Sequence, residues 1–582
     1  MILGFQQNSL TQPQDPGTVA LTGEPAAILL LAAILAWPIS IGLLRLYRRA
    51  VLTSMDASAN QRGVEPVAPE TSTSSNRSAQ ITSGPPIDRV SSVTAGAAEN
   101  LNSTLLRTPW RPAALYAVAG FCYALVMAAA SLASWKTGFL PIRFLVLLWI
   151  YAWPVVLAVN LVAASTRRAK LLTAVCYFFV LAILGATAAL RSSMFVFGSI
   201  VVLWGIINLP ATVLLWAFLN RRVRAVGPLV LTFMVLALLG SDLALAVAAR
   251  DEGLLRSIAY LGSVLGLGAV GMFIGLIVLG FAAFGLVGWL ALRWIGARYE
   301  HKKLSDQSVT LDSMWLLYGV AQSIPLVFGG AVWILSGLVA FAAYKLVSWV
   351  GFSLLRRDTG PENSPKLLLL RVFSLGKRSE RLFDALAKHW RHVGSMRLIA
   401  GPDLATTTIE PHEFLDFLGG KLARRFIDGP DALNQRISEM DLKPDGDGRF
   451  RVCDFFCHED TWQMTLTRLV ADSDAVLMDL RGFSQENHGV VYEIEELISV
   501  VPLERVVFVI DQTTDEKFLR QTVEASWDRM SPTSPNRSST PELLQLFRFT
   551  GSHGGKFQHL LTILSNAAKR GIVLGEDGVA PA

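Results

Sequence analysis

The hydrophobic positions divide the chain into two regions with different periodicity. Between Ala26 and Leu355 the sequence consists mainly of long apolar runs separated by short polar or basic stretches. A run of about 20 apolar residues can cross a bilayer as a helix. After Leu355 the apolar residues form short runs of strand length, each followed by an amphipathic segment of helical period. This pattern predicts a polytopic α-helical membrane region followed by an α/β domain.

The apolar runs predict about nine spans, the first at 26–46 and about eight more within 113–355. The stretch 314–355 is too long for one span and is broken near Pro325, which favours a tight hairpin of two. An alternative divides 258–292 into two spans and leaves one in 314–355. The other predicted spans are 113–134, 143–164, 171–190, 194–218, 227–249 and 258–292.

Basic residues predict the orientation of the spans. Residues 1–25 contain no Lys or Arg, whereas the first apolar run is followed by Arg45, Arg48 and Arg49. Basic clusters recur at every second boundary, as the positive-inside rule requires. We therefore expect a multi-pass protein of the cell membrane with an extracytoplasmic tail at 1–25 and a cytoplasmic C-terminal domain. A cleaved signal peptide is disfavoured, because its positive charge would precede the apolar run.

The amino-acid composition indicates which kinds of partner the protein binds. Only 17% of residues are charged, and much of the basic excess behind the net charge of +6 lies at the ends of apolar runs. Topology explains that excess, so we expect a lipid bilayer and no nucleic acid as partner. Residues 47–112 are rich in small and polar residues and predict a disordered cytoplasmic linker.

Few polar residues interrupt the spans: Asn160, Asn208 and Asp242. An acid within a membrane is a candidate functional residue because its charge is costly in lipid. Asp242 therefore supports one hypothesis, a transporter regulated by the C-terminal domain. The alternative is a carboxyl group bonded within the helix bundle or facing an outer vestibule.

The region 366–582 repeats a strand followed by a helix. This alternation predicts a mostly parallel sheet covered on both faces. Ligands of such sheets bind beyond the C-terminal ends of the strands. The predicted pairs are 367–373 with 379–392, 396–400 with 412–426, 451–456 with 460–470, 475–480 with 489–500, 505–510 with 515–527, and 543–549 with 556–570.

Two loops at those strand ends carry candidate ligand-binding residues. Lys377, Arg378 and Ser379 follow the first strand, where two cations and a capping serine could hold phosphate. A solvated helix cap is the simpler interpretation of the same residues. The fourth strand leads to Asp479, Arg481 and Ser484, and its helix then carries Glu493. Glu493 could face the same crevice or serve as a solvated acid near a helix N-terminus.

The order of residues around Glu493 resembles a known family. Ser473-Asp474, an apolar strand, a short loop with Ser484 and then Gly489-x-x-Tyr492-Glu493-Ile494 look like the strand, loop and Glu-bearing helix of Toll/interleukin-1 receptor (TIR) domains. The resemblance extends over 366–530. It implies a domain that either assembles with like domains or cleaves the N-glycosidic bond of NAD, with Glu493 as the catalytic residue.

These features lead to two further hypotheses. The first is a membrane-anchored signalling or sensing protein whose cytosolic TIR-like domain binds a nucleotide-like ligand or forms a homo-oligomer. The second is a membrane-tethered hydrolase of NAD or a related nucleoside, in which Glu493 is catalytic. No cofactor is required by either, and NAD or another nucleotide is the expected ligand.

No metal site is predicted. Cys453, Cys457 and His458 do not match a common zinc spacing, and a strand would place both thiols on one buried face. Asp445-Gly-Asp-Gly448 lacks the remaining ligands of a calcium loop and is typical of a turn.

Overall fold

The computed structural model forms two compact units, one of which contains the apolar helices and residues 409–418, and the other most of the C-terminal region. Each unit is described by itself. The described residues are 16–61, 110–135, 139–164, 167–191, 197–218, 223, 226–250, 252–266, 268–302, 304–355, 364–371, 377–400, 411–420, 422–440, 442–458, 460–537, 544–549 and 554–577.

The described residues of the apolar region form helices joined by short turns. The helices are α1 (Pro16–Gln61), α2 (Trp110–Ser134), α3 (Pro141–Tyr151), α4 (Trp153–Val162), α5 (Arg167–Arg191), α6 (Phe197–Phe218), α7 (Gly227–Arg250), α8 (Glu252–Val264), α9 (Gly268–Glu300), α10 (Asp306–Ser323) and α11 (Ser336–Leu355). Among the described residues, seven helical segments are long and apolar enough to cross a membrane, and α3 and α4 together form one of them. This finding confirms a multi-pass membrane region.

Helix α1 differs from the predicted first span. It begins ten residues before 26–46 and ends fifteen residues after it, so its C-terminal part occupies the start of the predicted linker. Residues 1–15 of the predicted tail and 62–109 of the predicted linker lie outside the described residues.

The stretch 314–355 folds as a hairpin of α10 and α11. Two short 3₁₀ helices, Ile324–Gly329 and Ala331–Leu335, join the arms around Gly330, whose φ of +135° suits glycine. The arms approach so closely that a Cβ at Gly337 would lie 2.0 Å from the Gly319 carbonyl oxygen. Small residues permit this backbone contact between helices. Within the described residues of this hairpin, the segment Val332–Leu355 is long and apolar enough to cross a membrane, and α10 is not.

The region 258–292 is divided differently from either prediction. Helix α8 ends at Val264, a turn with Gly266 and Gly268 at positive φ follows, and α9 then continues unbroken to Glu300. Helix α9 packs against α7 through Gly240 and Gly280, where an added Cβ would lie 2.4 Å from the opposite carbonyl oxygen.

The second unit contains a seven-stranded sheet in which every pairing is parallel. The strand order is β3-β4-β2-β1-β5-β6-β7. The strands are β1 (Lys366–Arg371), β2 (Ser395–Ala400), β3 (Phe426–Ile427), β4 (Val452–Cys457), β5 (Ala475–Asp479), β6 (Val506–Ile510) and β7 (Gln545–Arg548).

Helices follow the strands, as the alternating pattern predicted. Strands β5 and β6 are buried at every position, as expected for strands that, apart from Asp479 at the end of β5, are continuous apolar runs. The helices are α12 (Lys377–Trp390), α13 (Pro411–Leu418), α14 (Pro430–Ser438), α15 (Trp462–Ala471), α16 (His488–Val500), α17 (Glu516–Asp528) and α18 (Gly554–Asp577).

The segment between β2 and β4 was only partly predicted. The expected helix 412–426 ends at Leu418, and the short β3 and α14 were not anticipated. Helix α13 belongs to the first unit, where Phe414 is fully buried among residues of α1, α7 and α9. The ring of Phe417 contacts Tyr47 edge-on at 5.5 Å, and the Tyr47 hydroxyl donates to Glu413 Oε2 at 3.5 Å. The apolar face of α13 therefore completes a core of the membrane unit.

Candidate functional site

The candidate site lies at the topological switch point of the sheet, between β1 and β5, where the strand order reverses. From β1 the chain continues to β2 on one side, whereas β5 pairs with the other side of β1 and leads on to β6 and β7. Loops at the C-terminal ends of two such strands diverge to opposite sides and leave a crevice, where parallel α/β sheets bind ligands. The structure places Arg371 and Asp479, the last residues of β1 and β5, opposite each other in the pairing register.

Asp479 and Arg481 form a buried ion pair at this edge. Arg481 Nε donates to Asp479 Oδ1 at 2.7 Å and Nη2 donates to Oδ2 at 2.6 Å. The two residues are 2% and 5% exposed. The guanidinium also lies 5.4 Å from the ring centre of Phe549. A left-handed Gly482, with φ of +73°, turns the chain after the pair. Because the pair is bidentate, it holds this loop in one geometry.

Glu493, in the helix that follows β5, is a buried acid without a full set of hydrogen-bond partners among the described residues. It lies in the second turn of α16, on the face that also carries Val490, Ile494 and Leu497, and it is 3% exposed. Burial raises the pKa of its carboxyl group to about 8, although Arg371 opposes the rise. Its Oε2 atom has no hydrogen-bond partner among the described residues. Such a buried oxygen is costly unless another group satisfies it.

Arg371 connects the ion pair of Asp479 and Arg481 with Glu493. It is 8% exposed at the end of β1, lies opposite Asp479 in the sheet register and acts electrostatically on Glu493. The site thus combines two buried arginines and two buried carboxyl groups. Arg371 could have been found from the sequence, since it is a charged residue that interrupts an apolar strand run.

Ser484 is close in sequence to the pair but has a local partner. Its backbone N–H donates to Asn487 Oδ1 at 2.9 Å, and its hydroxyl donates to the same atom at 3.3 Å. Asn487 directly precedes α16. These bonds indicate that Ser484 stabilises the conformation of the loop that leads into α16.

The basic loop after β1 is only partly described. Residues Lys377, Arg378 and Ser379 form the first turn of α12, so Ser379 lies inside the helix and is not its N-cap residue. Their side chains lie outside the described residues, and the predicted phosphate site stays a prediction.

Asn208, which the sequence analysis names as a polar residue within a span, belongs to a polar network in the membrane unit. The Tyr123 hydroxyl donates to Gln322 Oε1 at 2.9 Å, and Gln322 Nε2 donates to Asn208 Oδ1 at 3.0 Å. Asn208 Nδ2 in turn donates to the Ile150 carbonyl oxygen at 3.1 Å. The three polar side chains are fully buried. The chain of bonds links α2, α10, α6 and α3, which is the role polar residues commonly have between membrane helices.

Two acids of the membrane unit differ in their surroundings. Asp242 of α7 is half-buried and has no hydrogen bond or ion pair among the described residues. Asp312 of α10, which sequence reasoning overlooked, forms an ion pair with Lys345 of α11. The two positions are 33 residues apart, so no local pattern could reveal the pair.

The cysteine and histidine residues around β4 have structural surroundings. His458 Nε2 lies 3.0 Å from Asp428 Oδ1 and its ring stacks on Phe426 at 5.2 Å. Burial raises the pKa of the Cys457 thiol to about 11, which keeps it protonated. Across the described ranges, no group of three or more His, Cys, Asp or Glu residues could hold a metal ion. Asp445 accepts from Arg451 Nε at 2.8 Å in the turn before β4.

The fold defines a multi-pass membrane protein with an α/β domain built on an open parallel sheet. No protein-family model matches the chain, and no match was found among curated proteins or solved structures.

Proposed function

We propose that this protein is a membrane-anchored sensor whose α/β domain binds a nucleotide-like ligand at the crevice between β1 and β5. The observation that carries the proposal is Glu493, a buried carboxyl group whose Oε2 atom has no hydrogen-bond partner among the described residues, beside Arg371. A ribose hydroxyl would satisfy that oxygen, and Arg371 and Arg481 supply cationic donors for phosphate.

Binding is favoured over catalysis by the ionisation of Glu493. A carboxyl group that assists cleavage of an N-glycosidic bond must be negatively charged to stabilise an oxocarbenium-like centre. With a pKa of about 8, most Glu493 side chains are protonated at neutral pH. A neutral carboxyl group can both donate and accept hydrogen bonds to a ribose, so it suits ligand recognition.

The cellular arrangement is part of the same proposal. Basic clusters at alternate span boundaries favour a cytosolic α/β domain. We also propose that helices cover the sheet on both faces. Successive residues of a strand point to opposite faces, and every residue of β5 and β6 is buried. We also propose that the α/β domain assembles with a like domain, because residues 473–494 resemble the strand, loop and helix of TIR domains.

The test measures ligand-dependent thermal stabilisation of the full-length protein in nanodiscs. The full chain is needed because α13 contributes to the core of the membrane unit. We expect NAD or ATP to raise the melting temperature and inorganic phosphate to raise it less. Glu493→Leu, which removes both the donor and the acceptor, should weaken the apparent affinity at least tenfold. The control Glu496→Leu, on the same helix but less buried, should leave it unchanged. Equal affinities for the two variants would contradict the proposal.

NAD cleavage is the second candidate, and the same unsatisfied oxygen of Glu493 supports it. Release of nicotinamide by the full-length protein, abolished in Glu493→Gln and retained in Glu496→Gln, would assign the domain as a hydrolase. Its rate should then rise with pH up to about pH 8, as Glu493 ionises.

A further inference from the structure

Asp312 and Lys345 lie at the same level of the α10–α11 hairpin. Gly319 and Gly337 contact each other across the arms, and seven residues further from the turn on each arm are Asp312 and Tyr344. Lys345, the next residue, donates to Asp312 Oδ2. The ion pair therefore follows from the register of the hairpin. Its two members lie at one depth in the membrane.

That depth is near the middle of a span. Lys345 lies nine residues after Ser336 and ten before Leu355, the ends of α11. At 1.5 Å per residue, each distance is about 14–15 Å, half the thickness of a hydrocarbon core of about 30 Å. The ion pair with Asp312 holds the ammonium group of Lys345.

The pair is partly exposed on the surface of the membrane unit. The Lys345 side chain is 40% exposed and that of Asp312 is 20% exposed. The neighbouring side chains of α11 on this face are apolar and more exposed, with Leu338 at 49%, Leu346 at 61% and Trp349 at 68%. Charges in contact with lipid at this depth are costly, and membrane proteins place such groups against protein or water. A second protein surface over this face would shield the pair from lipid.

We propose that the exposed face of α11, centred on Lys345 and Trp349, is the contact surface for a second copy of this chain. A two-fold axis along the membrane normal keeps every residue at its own depth. Because Asp312 and Lys345 share one depth, Lys345 of each copy can approach Asp312 of the other. Two intramolecular pairs then form one cluster of alternating charges that is shielded from lipid. A self-complementary contact of this kind is what a symmetric dimer requires.

The charges allow a test by complementation between copies. Full-length chains carrying two different affinity tags are reconstituted in lipid vesicles, and co-purification after solubilisation measures association. Asp312→Lys gives a copy with lysine at both positions, and Lys345→Asp gives a copy with aspartate at both. We expect each variant to associate with itself at least tenfold more weakly than wild type. A mixture of the two variants should recover association, because opposite charges then meet only between copies.

Controls separate the contact from folding. The variant Asp312→Lys with Lys345→Asp keeps the ion pair within one copy and should associate as wild type. If the single variants do not fold, Asp312→Asn with Lys345→Met replaces them, and it should still lose at least tenfold in association. Asp242→Asn removes another intramembrane acid and should have no effect. A monomeric wild type, undiminished association of either variant with itself, or a mixture no better than the single variants would overturn the proposal.

Discussion

Arg371 at the end of β1 acts electrostatically on Glu493 of α16, although the two residues are 122 positions apart in the chain. The arginine stabilises the ionised carboxylate, whereas burial disfavours it more strongly. The balance leaves a buried acid that is mainly neutral at pH 7. This relationship, more than the presence of an acid on a helix, distinguishes the C-terminal ends of β1 and β5 from an ordinary sheet edge.

The raised pKa of Glu493 predicts a pH-dependent stability. The carboxyl pKa rises from its ordinary 4.5 to about 8 on folding, so the folded protein binds more protons between those values. The stabilising contribution of the neutral group is complete below pH 4.5 and is lost as pH rises through about 8. Glu493→Gln should therefore raise the melting temperature relative to wild type at pH 9 and not at pH 4.5. Parallel pH curves for the two proteins would contradict this.

The buried pair of Asp479 and Arg481 should be sensitive to loss of one charge. Asp479→Asn leaves Arg481 buried without its full counter-charge, which costs about 3–5 kcal/mol when a buried pair is broken. The matched control is Glu516→Gln, which breaks the exposed pair with Arg548 and should cost at most about 1 kcal/mol. Denaturation of the α/β domain in the full-length protein, followed by hydrogen exchange of β5 and β6, measures both. Equal effects would remove the special role of the buried pair.

The hairpin of α10 and α11 should depend on the absence of a side chain at Gly337. Gly337→Ala places a methyl carbon 2.0 Å from the Gly319 carbonyl oxygen, so the arms must separate. Overpacking of this kind costs about 1–3 kcal/mol. Gly205→Ala is the control, because no atom lies within 4 Å of an added Cβ in α6. We expect a lower melting temperature in detergent for Gly337→Ala alone.

Phe414 tests the position of α13. Its ring is fully buried in the core formed with α1, α7 and α9, and removal of a buried phenylalanine ring typically costs about 3–5 kcal/mol. Phe414→Ala should lower the melting temperature of the full-length protein and open α13 to proteolysis. Phe273→Ala, on the exposed face of α9, should do neither. Protection of 411–418 in Phe414→Ala would argue against this packing.

The course of the α/β domain shows how far local pattern reaches. Predicted strands 396–400 and 475–480 match β2 and β5 within one residue, because an apolar run between a turn and an amphipathic helix is a local property. The helix expected at 412–426 ends early at Leu418. Its apolar residues suit any helix, and only the neighbouring surface decides which of them are buried.

The sequence by itself determined the apolar spans, the alternation of strands and helices, and the strand ends that carry Asp479 and Arg481. These properties depend on the order of neighbouring residues and on the periods of helix and strand. The tertiary structure alone decided that β4 lies beyond β2, that Arg371 acts on Glu493, and that Lys345 pairs with Asp312. The physical reason is that burial and charge pairing depend on distances between segments remote in the chain, which no local period encodes.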